Sequence, residues 1–410
     1  MHGVSSSFSG TFCRTLAAGS VSISVFVFIL FCYFNETSSP QNGHHWLRLK
    51  SAGSSVRSPD SQSTYLSRQR SLNADDGNSS NLIKFDITAS DVIVFLQIQN
   101  AGANFFERHL IRDLNLEQPC SCWRQKICRC YRPGTRTTWL FSRYTLGWKC
   151  GVHPDWTELT NCVDRVLDED EGRPVKRRYF YITVLRDPVT RFRSEWHRFR
   201  QNRGWHGSRP HRSRCSSGIA SDALTQPCFD GRHPTNVTWD EFLSCSTNPA
   251  LNRQTRMLAN LGLIDACSET ASGVMRPEDR DLVLLSSAKL NLQKMAFFGL
   301  AEFPKLSQSM FEATFNLSFK RRARSRNFLR GRRYGKKFME EKMPGQVERV
   351  TAANSLDVEL YNHAKELLFS RFEKVKGKDP ELSEDEREVM EPYSGEDWAD
   401  EEDLSDLVAE

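Results

Sequence analysis

The chain has 410 residues, 39% of them hydrophobic and 26% charged, with a formal net charge of +5. That apolar content is enough for one large core or two ordinary ones, which excludes a chain that stays unfolded along its whole length. The charge is uneven: Asp379 to Glu410 holds 15 acidic residues and one basic residue, Arg387, so the tail carries −14 and the rest of the chain +19. Such a body suits a polyanionic partner, and such a tail is a solvated acidic run.

Leu16 to Phe34 is an uncharged run of 19 residues, preceded by Arg14 and followed by Asn35 and Glu36. Its length is close to the roughly 20 residues needed to cross a bilayer, and the positive flank places the N-terminus in the cytoplasm. A cleaved signal peptide is the alternative, but the run is long for one and no A-x-A-like cleavage site follows. Everything after it is then expected in the lumen. Three sequons agree, at Asn78, Asn236 and Asn316, with a fourth at Asn35 beside the membrane. Of 12 cysteines, ten lie between Cys120 and Cys267. In an oxidising lumen these are expected as disulfides, with the pairing open. Cys120-x-Cys122 and Cys128-x-Cys130 also invite a zinc reading, but their spacing is not the usual CxxC knuckle.

Residues 35 to 84 are rich in Ser, Asn, Gln and Arg and are expected as a flexible stem. The globular part begins near Phe85. Asp91 to Ile98 is a continuous apolar run of the kind a buried parallel strand shows. A turn, Gln99-Asn100-Ala101-Gly102-Ala103-Asn104-Phe105, leads to a helix over Phe106 to Leu114 with Phe106, His109, Leu110 and Leu114 on one face. Strand, turn and helix recur at Tyr179 to Leu185, Arg186-Asp187-Pro188 and Val189 to Arg200, with Pro188 in the helix's first turn. A third strand is expected at Ala296 to Leu300 with a helix after Pro304, and a last helix runs from Asp357 to Val375. Strands alternating with helices define an α/β fold with a parallel sheet.

A loop leaving a parallel strand and opening a helix is a natural anion site. This one lacks the GxxxxGK pattern of an ATP-binding loop, which disfavours a kinase. The shape alone is common to many α/β proteins.

Read together, DVIVFLQIQNAGANFFERHLIRDL, TWLFSRYTLGWKCGVHPDWTELTNC, YITVLRDPVTRFRSEW, LNRQTRML and AFFGLAEF resemble, in the same order, the heparan sulfate 6-O-sulfotransferases. The resemblance covers about residues 85 to 375. It implies a P-loop-like sulfotransferase domain at 85–376, between the stem and the acidic tail at 377–410. It also implies a Golgi type II membrane enzyme with a cytoplasmic tail at 1–15 and an anchor at 16–34. Such an enzyme moves sulfate from 3′-phosphoadenosine 5′-phosphosulfate to the 6-hydroxyl of glucosamine in heparan sulfate and needs no metal.

The resemblance also assigns roles. His153 matches the catalytic base, and an imidazole is suited to taking a sugar hydroxyl's proton near neutral pH. On spacing alone a structural loop histidine is the plainer reading, and the motif match reverses it. Arg186 and Ser194 match the contacts to the donor's 3′-phosphate; an Arg-Asp turn and an exposed helix serine are the plain alternative. Arg143, Trp148 and Trp205 fall at acceptor positions, where Trp packs on sugar rings and Arg pairs with sulfates or carboxylates. The family has a histidine where this chain has Arg198, with His197 adjacent.

Two segments depart from the family. Its donor loop reads QKTGGTT, so Asn100 replaces a lysine that neutralises charge on the leaving oxygen, Ala103 replaces a glycine, and Phe105 replaces a threonine. Ala103 is expected to crowd the phosphate or to disfavour a positive φ. Lys320 to Lys337 holds ten Lys or Arg in 18 residues, including Arg330, which matches a family arginine that closes over the nucleotide. In a lumen such a stretch meets sulfated glycosaminoglycan and no nucleic acid; a solvated loop is the plainer reading. The departures leave an alternative function: an impaired sulfotransferase-like protein that binds heparan sulfate without turnover.

Overall fold

The computed structural model describes residues 84–123, 127–201, 228–229, 232–264, 276–321, 345–377 and 390. The apolar run at 16–34, nearly all of the stem, Trp205, Arg330, most of the basic stretch and nearly all of the acidic tail lie outside the described residues.

The apolar run expected as a strand forms β1, Asp91–Leu96, with all six residues buried. Its ladder stops two residues short of the expected end, because Gln97 and Ile98 turn into the loop that follows. The loop feeds α1, Ala103–Asp113, which begins three residues earlier than its apolar pattern indicates. Phe106, His109 and Leu110 are buried as expected, together with Glu107 and Ile111. The chain then makes a small antiparallel hairpin, β2 (Ser121–Trp123) and β3 (Ile127–Arg129), and a short strand β4, Leu140–Phe141. Helix α2 is Trp156–Glu171, β5 is Arg178–Leu185 and α3 is Pro188–Arg200.

Short helices α4 (Trp239–Ser244) and α5 (Arg253–Leu258) precede the long α6, Pro277–Lys294. Strand β6, Phe297–Leu300, leads into α7, Pro304–Phe315. The last described elements are α8, Gln346–Ala353, and α9, Ser355–Lys376.

The sheet order is β4-β1-β5-β6, and every pairing in it is parallel. Central β1 registers Ile93 with Leu140 on one side and Phe180 on the other, while Ile182 registers with Phe297. All four strands therefore end on the same side, as open α/β sheets need for a ligand crevice. Helices on both faces bury the sheet, and Phe106 packs against Phe95, Phe297 and Phe311. A second apolar cluster joins α3, α4 and α8 through Phe192, Phe199, Phe242 and Val350.

The cysteine pairs settle what spacing left open. The hairpin register places Cys122 opposite Cys128, and the disulfides Cys122–Cys128 and Cys120–Cys130 nest along it. These four sulfurs are thus consumed in covalent bonds and hold no zinc. Cys150–Cys162 and Cys228–Cys245 are also bridged.

Candidate functional site at the carboxyl ends of the strands

The loop after β1 uses two left-handed residues. Asn100 has φ 60° and Gly102 φ 79°. Asparagine tolerates that region better than other side-chain-bearing residues. The positive φ thus falls on Gly102, and Ala103 is the first residue of α1 with its methyl in the core, 2% exposed. This corrects the expectation for Ala103: the replacement neither sits at a strained φ nor stands proud of the loop. No acidic side chain occupies the first turn of α1, so the helix end remains compatible with an anion. Phe105 stacks on His109, and His109 on Phe319, at centroid distances of 5.9 and 4.1 Å.

Arg186 follows β5 and is 2% exposed. Its Nη1 donates to the carbonyl of Asn100 at 3.2 Å, so this cation is held against the donor loop. Asp187 caps α3 by accepting from the Thr190 N–H and hydroxyl at 2.9 and 2.7 Å, and Pro188 takes the first turn as expected. Two turns along α3, Ser194 is 5% exposed and its hydroxyl has no hydrogen-bond partner among the described residues. It is therefore not the exposed helix serine of the plain reading.

His153 lies in a loop pinned at both ends. The Cys150–Cys162 bridge closes it. Asp155 and Glu158 form a capping box at the start of α2: Asp155 Oδ1 accepts from the Glu158 N–H at 2.9 Å, and Glu158 Oε2 accepts from the Asp155 N–H at 3.0 Å. The Nδ1 of His153 is buried without a hydrogen-bond partner among the described residues. Burial first, then the guanidiniums of Arg143, Arg253 and Arg198, hold its pKa well below the ordinary 6.5. Three cations face this ring, so an anionic acceptor is drawn to it.

Gly147 explains how Arg143 and Trp148 come together. Its N–H donates to the Ser142 carbonyl at 2.7 Å, and a Cβ there would meet that same carbonyl at 2.7 Å. Only glycine permits so tight a return. Trp148 then stands 56% exposed, and Arg143 half-buried, on either side of the turn. On α3, His197 is exposed, while the charge of half-buried Arg198 acts on His153. The arginine, not its histidine neighbour, is the side chain that bears on the ring.

Several site residues carried no assigned role in the sequence. Glu195 is buried and pairs with Arg253 at 2.8 Å and with Arg191. Gln254 is fully buried and bonded to the main chain of Arg186. Glu302 accepts from the Asp187 N–H at 2.9 Å and from the Tyr361 hydroxyl at 2.6 Å. YITVLRDPVTRFRSEW, LNRQTRML and AFFGLAEF contain these residues, but hydrophobic periodicity says nothing about which polar members of a motif turn inward.

An α/β sheet whose strands all deliver loops to one end, with an anion-compatible turn and a half-buried histidine under the charge of three arginines, fits a group-transfer site for an anionic donor. The sulfotransferase family profile matches residues 84–364. Heparan-sulfate 6-O-sulfotransferase 2 of Gallus gallus is 42% identical over 301 residues, covering 72% of this chain and 72% of that protein. Heparan-sulfate 6-O-sulfotransferase 1 of Homo sapiens is 43% identical over 295 residues, covering 71% and 69%. Heparan-sulfate 6-O-sulfotransferase 3-B of Danio rerio is 41% identical over 295 residues, covering 72% and 68%. The chain belongs to the sulfotransferase family and, within it, to the heparan-sulfate 6-O-sulfotransferases.

The depressed pKa of His153 fixes the sign of its pH dependence. A base with a lowered pKa stays neutral until the pH falls below that lowered value. The transfer rate is therefore expected to stay flat from about pH 7.5 down to about pH 6, with no limb at the ordinary imidazole value. A pH–rate profile breaking near 6.5 contradicts this arrangement of charges.

Proposed function

We propose that this chain transfers the sulfuryl group of 3′-phosphoadenosine 5′-phosphosulfate to the 6-hydroxyl of glucosamine residues in heparan sulfate. One observation carries the reading: among the described residues, His153 Nδ1 and the Ser194 hydroxyl are buried without partners, while Arg143 and Arg186 follow the carboxyl ends of parallel strands β4 and β5. Buried polar atoms without partners are rare, and their presence at one end of the sheet fits a ligand that supplies the missing bonds. Family membership supports the same reading.

The residues present fit the donor. Arg186 and Ser194 hold its 3′-phosphate, and Gln99 to Phe105 with the start of α1 hold its phosphosulfate; among the described residues the Gln99 Oε1 is buried without a hydrogen-bond partner. Bound there, the donor supplies a sulfuryl group whose bond to the nucleotide phosphate breaks, with the electron pair, as the bond from the sugar oxygen forms. His153 takes the proton of the attacking hydroxyl. Arg143, Arg198 and Trp148 orient the sulfated acceptor; Trp205 and Arg330, which match family acceptor and nucleotide positions, lie outside the described residues. Asn100 contributes a hydrogen bond but no charge.

That last point favours a second reading, a protein that binds heparan sulfate and turns over little. The two separate in one assay: purified protein, donor and heparan sulfate, with sulfate incorporated per mole of protein followed in time. The leading reading expects many equivalents; incorporation that never exceeds one equivalent, with normal heparin retention, supports the second.

The reading extends to location: a Golgi type II protein anchored by Leu16 to Phe34. The four disulfides among the described residues support an oxidising lumen. Asn236 and Asn316 are both exposed, which fits N-glycosylation. Among the described residues no helix is long and apolar enough to cross a membrane.

The basic stretch Lys320 to Lys337 is expected to strengthen heparin binding. Replacing half its Lys and Arg by Ser should lower the salt needed for elution from a heparin column, because each lost cation removes a screened electrostatic contact. An unchanged elution point makes the stretch a solvated loop.

A further inference from the structure

The ladder between β5 and β6 ends at Leu185 and Leu300. Arg186 is the next residue, beyond the reach of its sheet neighbours, and one side chain takes over both polar groups of its main chain. The Arg186 N–H donates to Gln254 Oε1 at 2.9 Å, and Gln254 Nε2 donates to the Arg186 carbonyl at 2.8 Å. A carboxamide presents an acceptor and a donor on one plane, so it continues the strand pairing where backbone is absent.

Gln254 is held in turn from behind. Its own N–H and that of Thr255 donate to the carboxylate of Asp357 at 3.1 and 2.8 Å, and the Thr255 hydroxyl donates at 2.9 Å. Gln254, Thr255 and Asp357 are all fully buried. On the ligand side, Arg186 reaches the Asn100 carbonyl at 3.2 Å. A continuous line of hydrogen bonds thus runs from α9 through α5 and the end of β5 to the donor loop.

We propose that Gln254 is the positioning residue of the donor site: by fixing the main chain of Arg186, it aims the guanidinium at the donor's 3′-phosphate. An arginine side chain has many rotamers, and its planar fork recognises phosphate only when its base is fixed. The inference rests on Arg186 reading the 3′-phosphate, so its test separates the two claims.

The experiment is calorimetric binding of adenosine 3′,5′-bisphosphate and of adenosine 5′-phosphate to the parent protein, Gln254→Leu and Gln254→Glu. The parent is expected to prefer the bisphosphate. Gln254→Leu keeps the volume and loses both bonds, and its preference should drop by on the order of ten-fold or more, while monophosphate affinity and heparin elution stay unchanged. Gln254→Glu keeps the acceptor for the Arg186 N–H and loses the donor to its carbonyl, so its loss should be smaller. If the leucine variant does not fold, the glutamate variant decides alone: a reduced preference supports the proposal and a parental preference overturns it. A parental preference in Gln254→Leu overturns the role of Gln254 and leaves that of Arg186 standing. No preference in the parent removes the phosphate role of Arg186, and the proposal with it.

Discussion

His153→Ala is expected to lower sulfate transfer by on the order of 10²- to 10⁴-fold, the usual contribution of a positioned general base. Donor affinity should stay close to the parent's. The expectation rests on where the ring sits. Its loop is closed by the Cys150–Cys162 bridge and capped by Asp155 and Glu158, so its position is set before any ligand arrives. Its pKa lies well below 6.5, through burial and the charges of Arg143, Arg253 and Arg198, so it is neutral and able to accept a proton. Arg186 and Ser194, which are expected to hold the nucleotide, stand on β5 and α3 instead. Loss of the ring should therefore separate kcat from donor binding. Equal falls in both would mean that His153 supports the fold or the nucleotide site, and full turnover would remove it from the chemistry.

The second large effect is a gain. Asn100→Lys is expected to raise turnover by roughly ten-fold or more, since a charged group at a developing negative charge commonly contributes 10²–10³ in rate. Donor affinity should rise less, because that charge develops on the leaving phosphate as the bond breaks. The backbone sets a counter-cost. Residue 100 has φ 60°, which asparagine tolerates and lysine does not, so the variant should lose about 1 kcal/mol of stability. Ala103→Gly, in contrast, should add nothing to the rate, because Ala103 is an ordinary first-turn helical residue packed into the core. Unchanged turnover in Asn100→Lys would show that a cation already serves the loop. The basic stretch that holds Arg330, outside the described residues, is the first candidate.

The strands were legible where apolar runs are continuous. Asp91 to Leu96 is buried on both faces, so its sequence has no alternation to confuse the reading. Pro188 announced the start of α3 because proline suits a first helical turn. The start of α1 was harder: its first turn is set by the left-handed Gly102 and not by the spacing of its apolar residues. The nested disulfides were beyond reach, since four cysteines allow three pairings and only the hairpin register selects one. The site divided along the same line. Residues on quoted motifs came with expected roles, and His153, Arg186 and Ser194 sit in loops and on a helix at one end of the sheet. The polar residues that support them, buried Gln254 and Glu195 and half-buried Glu302, are placed by contacts 58 to 115 residues apart in sequence, and no local pattern marks such pairings.

The central claim is the position at which sulfate is added. Heparan sulfate incubated with the protein and labelled donor, then depolymerised and separated as disaccharides, reads that position directly. The account predicts label on the 6-oxygen of glucosamine, dependent on His153. Label on another oxygen, or none at all while donor and heparan sulfate both bind, would contradict it.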